Sequence, residues 1–460
     1  MLFVLLAYIK LFTFPLVGNK LKYLILVRKE KEMVLTLTDL DNKLFELIPF
    51  TSPSSCCIYR VPERLRHINE RAYTPQVVSI GPFHHGKEHL KFMEEEKQRY
   101  LKEFLARTNI NLGELANLIT VDTEDKIRSC YSEAIRMDRQ KFVEIILVDS
   151  IFIIEVLLRN TYPTLRNEKQ DHIFKQPYLL QDIWYDMWLL ENQLPFFILD
   201  EFLNLNEVAE KIPVENDYPT VIYLTYKFFE DLEAVNGKLQ KLIDCKKEVK
   251  HFTDFLRICH LPSYLPSDPP GEKKVITAPS VTQLHQAGVR FELSESKESF
   301  DIKFEKGTLK IPQLKLQLET ESLFRNMIAF EQRHCPDNYI NDYVFIIHHL
   351  VNTPKDVELL VQKQIIENWL PDKEGVSTLI NNLSRGTTLN PHNFYFSKLC
   401  KDLKEYRETR CNMWRANLKQ NYFNTPWASI SVIGAIFLIL LTVLQAVFSV
   451  IQVESQSNNC

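Results

Sequence analysis

The sequence predicts a mainly α protein: a single α-rich body with a small antiparallel β-sheet, followed by one C-terminal transmembrane helix. Three observations lead there. Apolar residues recur at helical spacing through most of the chain, the spacing shortens to every second residue over 288–312, and residues 427–451, bounded by Trp427 and Ile451, carry no charge.

The uncharged stretch is the clearest element. A helix rises about 1.5 Å per residue, so about 25 residues cover the roughly 30 Å of a hydrocarbon core with some tilt. Its Ile, Leu, Val and Phe side chains outweigh Ser429, Ser431, Thr442, Gln445 and Ser449, and Trp427 stands at the edge, where an indole prefers to lie. Arg407, Arg410, Arg415 and Lys419 precede the span, whereas the short tail 452–460 holds Glu454 and no Lys or Arg. The positive-inside bias therefore predicts a single-pass protein with a cytoplasmic body.

The apolar leader 1–53 is interrupted by Lys10 and Pro15 and lacks the layout of a secretory signal. It reads as an extra anchor, an interfacial helix or a leader. Basic residues from Lys20 to Lys31 would again hold the body in the cytosol.

A short helix-like segment is predicted at about 33–47, and in the body, 54–421, residues 84–107 read as a helix, with Leu90, Met93, Lys97, Leu101 and Leu105 along one stripe and Glu94 to Glu96 opposite. Further helices are predicted at about 111–137, 140–158, 177–190, 195–206, 218–234 and 247–258. Residues 261–280 contain five prolines and no apolar period, which reads as a connector. The sheet follows, with Lys306-Gly307 as its turn. Helices then return at about 319–333, 337–351, 355–369, 373–384 and 393–421. Because helices on both sides of the connector are needed to cover so small a sheet, one body is expected rather than two domains.

Composition narrows the function. The chain is 45% apolar and 25% charged with a net charge of −4, and its Lys and Arg are dispersed, which argues against a nucleic-acid surface. Nine scattered cysteines without a C-x-x-C pair fit a reducing compartment. The sequon Asn382-Leu383-Ser384 would stay unmodified there. Phosphate-binding, nucleophile-elbow, zinc-protease and kinase signatures are absent, and 11 glycines leave little material for a phosphate cradle. No nucleotide and no cofactor is expected.

Some residues could carry chemistry. His84, His85 and His89 lie close enough in sequence to suggest a metal site, but the flanking Gly81-Pro82 and Gly86 equally suggest a turn with surface or capping roles. Glu191 in Leu190-Glu191-Asn192-Gln193 and Glu331 in Phe330-Glu331-Gln332 are set among apolar residues, as are Asp149 and Glu155. Two readings stand side by side. Glu191 and Glu331 could be the acid and base of a membrane-tethered hydrolase or transferase, or they could join Asn192, Gln193 and Arg325 in a satisfied packing network. A third use, lipid binding, would have the apolar helices 183–190 and 194–203 line a pocket.

These segments also carry a resemblance. Tyr59-Arg60-Val61-Pro62, Tyr73-Thr74-Pro75-Gln76-Val77-Val78-Ser79-Ile80-Gly81-Pro82-Phe83-His84-His85-Gly86, Leu190-Glu191-Asn192-Gln193-Leu194-Pro195-Phe196, Ala287-Gly288-Val289-Arg290-Phe291, Arg325-Asn326-Met327-Ile328-Ala329-Phe330-Glu331-Gln332 and Pro426-Trp427-Ala428 occur in this order. Over about residues 58–451 the chain resembles the plant family called domain of unknown function 247, or uncharacterised protein family 0481. The resemblance implies a C-terminal anchor, frequently at the plasma membrane, and no established activity, cofactor or active-site residue. The association of some grass relatives with pollen self-incompatibility implies recognition or signalling. The expectation is a tail-anchored module whose body binds a protein partner.

Overall fold

The computed structural model describes residues 55–167, 171–211, 220–244, 249–262, 275–296, 298–409 and 426–457. The leader 1–53, the middle of the connector 261–280, and the basic residues Arg410, Arg415 and Lys419 lie outside the described residues.

Helix α1 (Lys91–Thr108) packs along α2 (Arg139–Thr161), and the pair forms the centre of the N-terminal part of the body. Fifteen of the 23 residues of α2 are buried, as a helix apolar on nearly every side requires. Asp138 caps it by accepting the Lys141 amide at 2.9 Å. Of the predicted stripe, Leu90, Met93, Lys97 and Leu101 are buried and Leu105 is half-buried, and Tyr100 and Phe104, which the stripe did not include, are buried beside them. Helical backbone starts later than predicted, with a 3-10 turn over Glu88–Leu90 before α1, so His85 and His89 do not share a helix face. Glu96 corrects the expectation of an exposed acidic face: it is buried, with Arg99 and His172 beside it.

The predicted helix at 111–137 is two, Leu112–Leu118 and Val121–Ser129, because Thr120 leaves the helix and caps the second by accepting the Thr123 amide. Then come α3 (Pro177–Asp186), α4 (Phe196–Leu203), α5 (Val221–Phe229) and α6 (Phe252–His260). Helices α4 and α5 pack on α2, and α6 is buried throughout.

Strands β1 (Arg290–Leu293), β2 (Lys303–Glu305) and β3 (Thr308–Ile311) form a sheet of order β1-β3-β2. β2 and β3 are the predicted hairpin, and Lys306 and Gly307 both have positive φ, +49° and +76°, as a two-residue turn of this hand requires. The sheet is not wholly antiparallel as expected. β1 pairs with β3 in parallel, Arg290 beside Thr308 and Leu293 beside Ile311. The chain between β1 and β2 is too long for a tight hairpin, which lets β1 cross to the far edge of β3.

A second sheet joins β4 (Leu314–Leu316) in parallel with β5 (Ile366–Asn368). β5 takes the end of the stretch predicted as helix 355–369.

Helix α7 (Thr320–His334) packs on α6 across the connector and against α8 (Tyr339–Leu350). α8 and α9 (Pro354–Gln362) both pack on α10 (Lys373–Ser384), and α11 (Ser397–Glu408) covers β2. The last element is α12 (Pro426–Ser457), which begins one residue before Trp427 and runs past Ile451 through most of what reads as the tail. Its stretch Ile430–Ser449 is long and apolar enough to cross a membrane, and none of it is buried.

Candidate functional site

The residues between α3 and α4 have no regular structure of their own. Turn bonds such as Met187 N–H to Ile183 O and Asn192 N–H to Leu189 O satisfy part of 187–194, Pro195 precedes the first turn of α4, and side chains supply further partners. Glu191 is the centre of this turn, its side chain fully buried. It accepts the Val61 amide at 2.7 Å, Arg60 Nη1 at 3.0 Å and a guanidinium bond from Arg66. His84 Nε2 approaches to 3.4 Å without hydrogen-bond alignment, and neither ring nitrogen has a hydrogen-bond partner among the described residues. Arg60 lies on the Phe83 ring, 4.0 Å from its centre, and reaches Glu133 at 3.4 Å. Arg60 and Arg66 remain partly exposed, 37% and 18%, so the site meets solvent through its cations.

Burial pushes the Glu191 carboxyl up, but the Val61 amide and the two guanidiniums more than reverse this and hold it down at about 2. Burial lowers His84, opposed by Glu191, so the imidazole is neutral at pH 7. A carboxylate this acidic, with its oxygens already occupied, is poorly suited to take or give a proton at neutral pH.

The neighbours of Glu191 extend the network. Asn192 accepts the Ile80 amide at 2.7 Å and donates to Val78 O and Asp186 O, both at 3.0 Å. Gln193 donates to Met187 O and Leu189 O and accepts the Phe252 amide at 3.0 Å. Asp186 accepts the amides of Gln76, Val77 and Val78 at 2.8, 2.8 and 2.9 Å. On α2, Asp149 accepts the Gly81 amide at 2.8 Å and pairs with Lys97 at 2.7 Å. The stretch 76–81, which has no regular secondary structure, is thus held by side chains.

Glu331 sits elsewhere, on α7, and its oxygens are also occupied. It accepts the Ile340 and Asn341 amides at 3.1 and 2.9 Å, the Asn341 carboxamide at 2.8 Å and Arg257 at 3.2 Å. It therefore caps the first turn of α8 from a neighbouring helix. Burial raises its carboxyl, with Arg257 and Asn341 opposing. Among the described residues Glu191 and Glu331 share no donor, so the structure brings them into two networks and not one acid–base site. Arg325 bonds to Glu321 at 2.7 Å and Asn382 O at 3.0 Å, and Asn326 ties Leu190 to Ala72.

The three histidines turn to different partners. His84 faces Glu191, His85 Nδ1 stands 3.8 Å from Glu94, and His89 Nε2 is 3.2 Å from Pro75 O. Among the described residues no three His, Cys, Asp or Glu side chains converge as metal ligands do. The apolar residues proposed for a lipid pocket, Ile183, Leu190, Leu194, Ile198, Leu199 and Phe202, pack into the core.

Sequence reasoning singled out Asp149 and Glu155 but missed the side chains they answer to. Arg159, 2% exposed, gathers Glu155, Glu103 and Asp171 at 2.8, 2.8 and 3.1 Å. Its signal was available: Arg159 follows Glu155 by one helical turn on the same apolar helix.

The class defined by this geometry is an α-rich body stitched by buried ionic nodes and followed by an uncovered apolar helix. Residues 58–441 match the family described as "Plant protein of unknown function", DUF247. The chain is 32% identical over 432 residues to the UPF0481 protein At3g47200 of Arabidopsis thaliana, covering 88% of each. It is 23% identical to the putative UPF0481 protein At3g02645 of the same plant, covering 84% of this chain and 89% of that one. No solved structure matches. The chain belongs to this plant family of unknown function.

Proposed function

We propose that this is a single-pass membrane protein, anchored by α12 with its body in the cytoplasm, where the body binds a protein partner in recognition or signalling. The observation that carries the reading is α12. Side chains such as Phe437, Leu438, Ile439 and Phe448 are 61–66% exposed, and an apolar helix that no protein surface covers is stable only in lipid. Arg407, Arg410, Arg415 and Lys419 before it, against Glu454 after it, support a cytoplasmic body.

The partner-binding half rests on Glu191 and Glu331. Their oxygens are already occupied by donors within the body, and the sequence carries none of the catalytic signatures, which supports a body that acts by binding. The resemblance to a family frequently placed at the plasma membrane supports that membrane as the site.

Alkaline carbonate should leave the protein in the membrane pellet, and protease added from the cytosolic side should digest the body. Release into the supernatant, or a protected body carrying sugar on Asn382, would defeat the anchor or its orientation. Cross-linking of the anchored protein in plant membranes should capture the same partner in independent preparations. Failure to recover one would remove the interaction reading.

A further inference from the structure

Over residues 430–449 the polar side chains of α12 are Ser431, Thr442, Gln445 and Ser449. With Ala435 and Leu438 they recur at 431, 435, 438, 442, 445 and 449, alternating steps of four and three. At about 100° per residue these six positions fall on one seam roughly 80° wide. Gly434 and Ala446 border it, and every other position in 430–449 is Ile, Leu, Val or Phe. Two of the three hydroxyls are satisfied within the helix: Thr442 Oγ1 donates to Leu438 O and Ser449 Oγ to Gln445 O, both at 2.8 Å. The carboxamide of Gln445 makes no hydrogen bond among the described residues. It lies about 8 Å from the middle of the stretch, inside the roughly 15 Å half-thickness of a hydrocarbon core, where an unpaired amide is costly.

We propose that this seam is a self-association surface: two copies of α12 pack in parallel, and the Gln445 carboxamides hydrogen-bond to each other across the pair. The inference rests on the reading of α12 as a membrane span. A second copy is the occupant because a carboxamide holds both donor and acceptor and so complements its own kind. A copy inserted in the same orientation also brings its Gln445 to the same depth without further adjustment. Alternating steps of four and three are the repeat of a left-handed helix pair, and the short side chains of Ser431 and Ala435 let two backbones approach.

The test uses the full chain, one batch carrying a donor and another an acceptor fluorescent protein at the N-terminus, reconstituted together in phosphatidylcholine vesicles. Flotation reads insertion, and energy transfer against the protein-to-lipid ratio reads association. The expected result is flotation with transfer that falls as lipid dilutes the protein. Gln445→Leu should float equally and associate about 3- to 20-fold more weakly. Leu440→Ala, on the opposite face, should change nothing, and Gln445→Asn should keep most of the transfer. Flotation without transfer overturns the proposal while the span stands, as does transfer that Gln445→Leu leaves intact or that Leu440→Ala reduces equally. A chain that fails to float overturns the span itself and the proposal with it.

Discussion

Two guanidiniums, a backbone amide and an imidazole converge on Glu191, whereas Glu331 lies deeper with one guanidinium and three amide donors. Their links to pH consequently have opposite sign. Glu191 falls from 4.5 to about 2 on folding, so its contribution is complete above 4.5 and is lost as pH drops toward 2. Glu191→Gln should cost about 3 kcal/mol at neutral pH, and that deficit should shrink on acidification through this window. Glu331 is raised, so the folded state binds its proton more tightly and wild-type stability declines as pH climbs above 4.5. For Glu331→Gln the deficit should therefore shrink as pH rises. Urea midpoints of the detergent-solubilised chain between pH 3 and 7 read both slopes, and equal slopes would refute the assignment. Gly81 offers a steric counterpart. Its φ is +71°, and an added Cβ would lie 2.7 Å from Gln193 O and 2.8 Å from Tyr131 Oη, which bond to each other. Gly81→Ala should cost about 3 kcal/mol by the same urea titration. At Gly86, φ +81°, no atom stands within 4 Å, and Gly86→Ala should cost only about 1 kcal/mol.

At the scale of elements, the irregular stretch 76–81 owes its place to side-chain partners on three separate segments. Asn192→Ala would strip the Ile80 amide and the Val78 carbonyl of their partners, and amide exchange at Ile80 should quicken more than in α2, while the Val78 amide keeps its bond to Asp186. Uniform acceleration would mean global destabilisation instead. What the sequence made legible here follows the physics of period. The Lys97 stripe and the β2–β3 turn were readable because both are local patterns. β5 was not, because Ile366-Glu367-Asn368 is too short to show alternation and its partner, β4, lies about fifty residues upstream. The parallel register of β1 was hidden for the same reason, since registers across long connections leave no local mark. Of the ionic nodes, the sequence exposed the members, charged groups in apolar runs, but not their pairings. For Glu191 and Glu331 the sequence left open an acid–base pair or a shared packing network, and their donors lie in two separate networks.

For the whole molecule, the proposed anchoring makes α12 the part on which partitioning depends. Deleting 426–460 should move the chain from the carbonate-resistant pellet to the supernatant, and a truncated chain still in the pellet would assign anchoring to residues outside α12. The body has a consequence of its own. Residues 76–81 are clasped by groups at Asp149, Asp186 and Asn192, more than a hundred residues later for the last two. During synthesis this clasp has no second half until residue 192 has emerged. Nascent chains arrested before that point should be cut readily between Gln76 and Gly81, and chains arrested well beyond it should resist, so protease susceptibility at this one place serves as a clock for maturation of the N-terminal half.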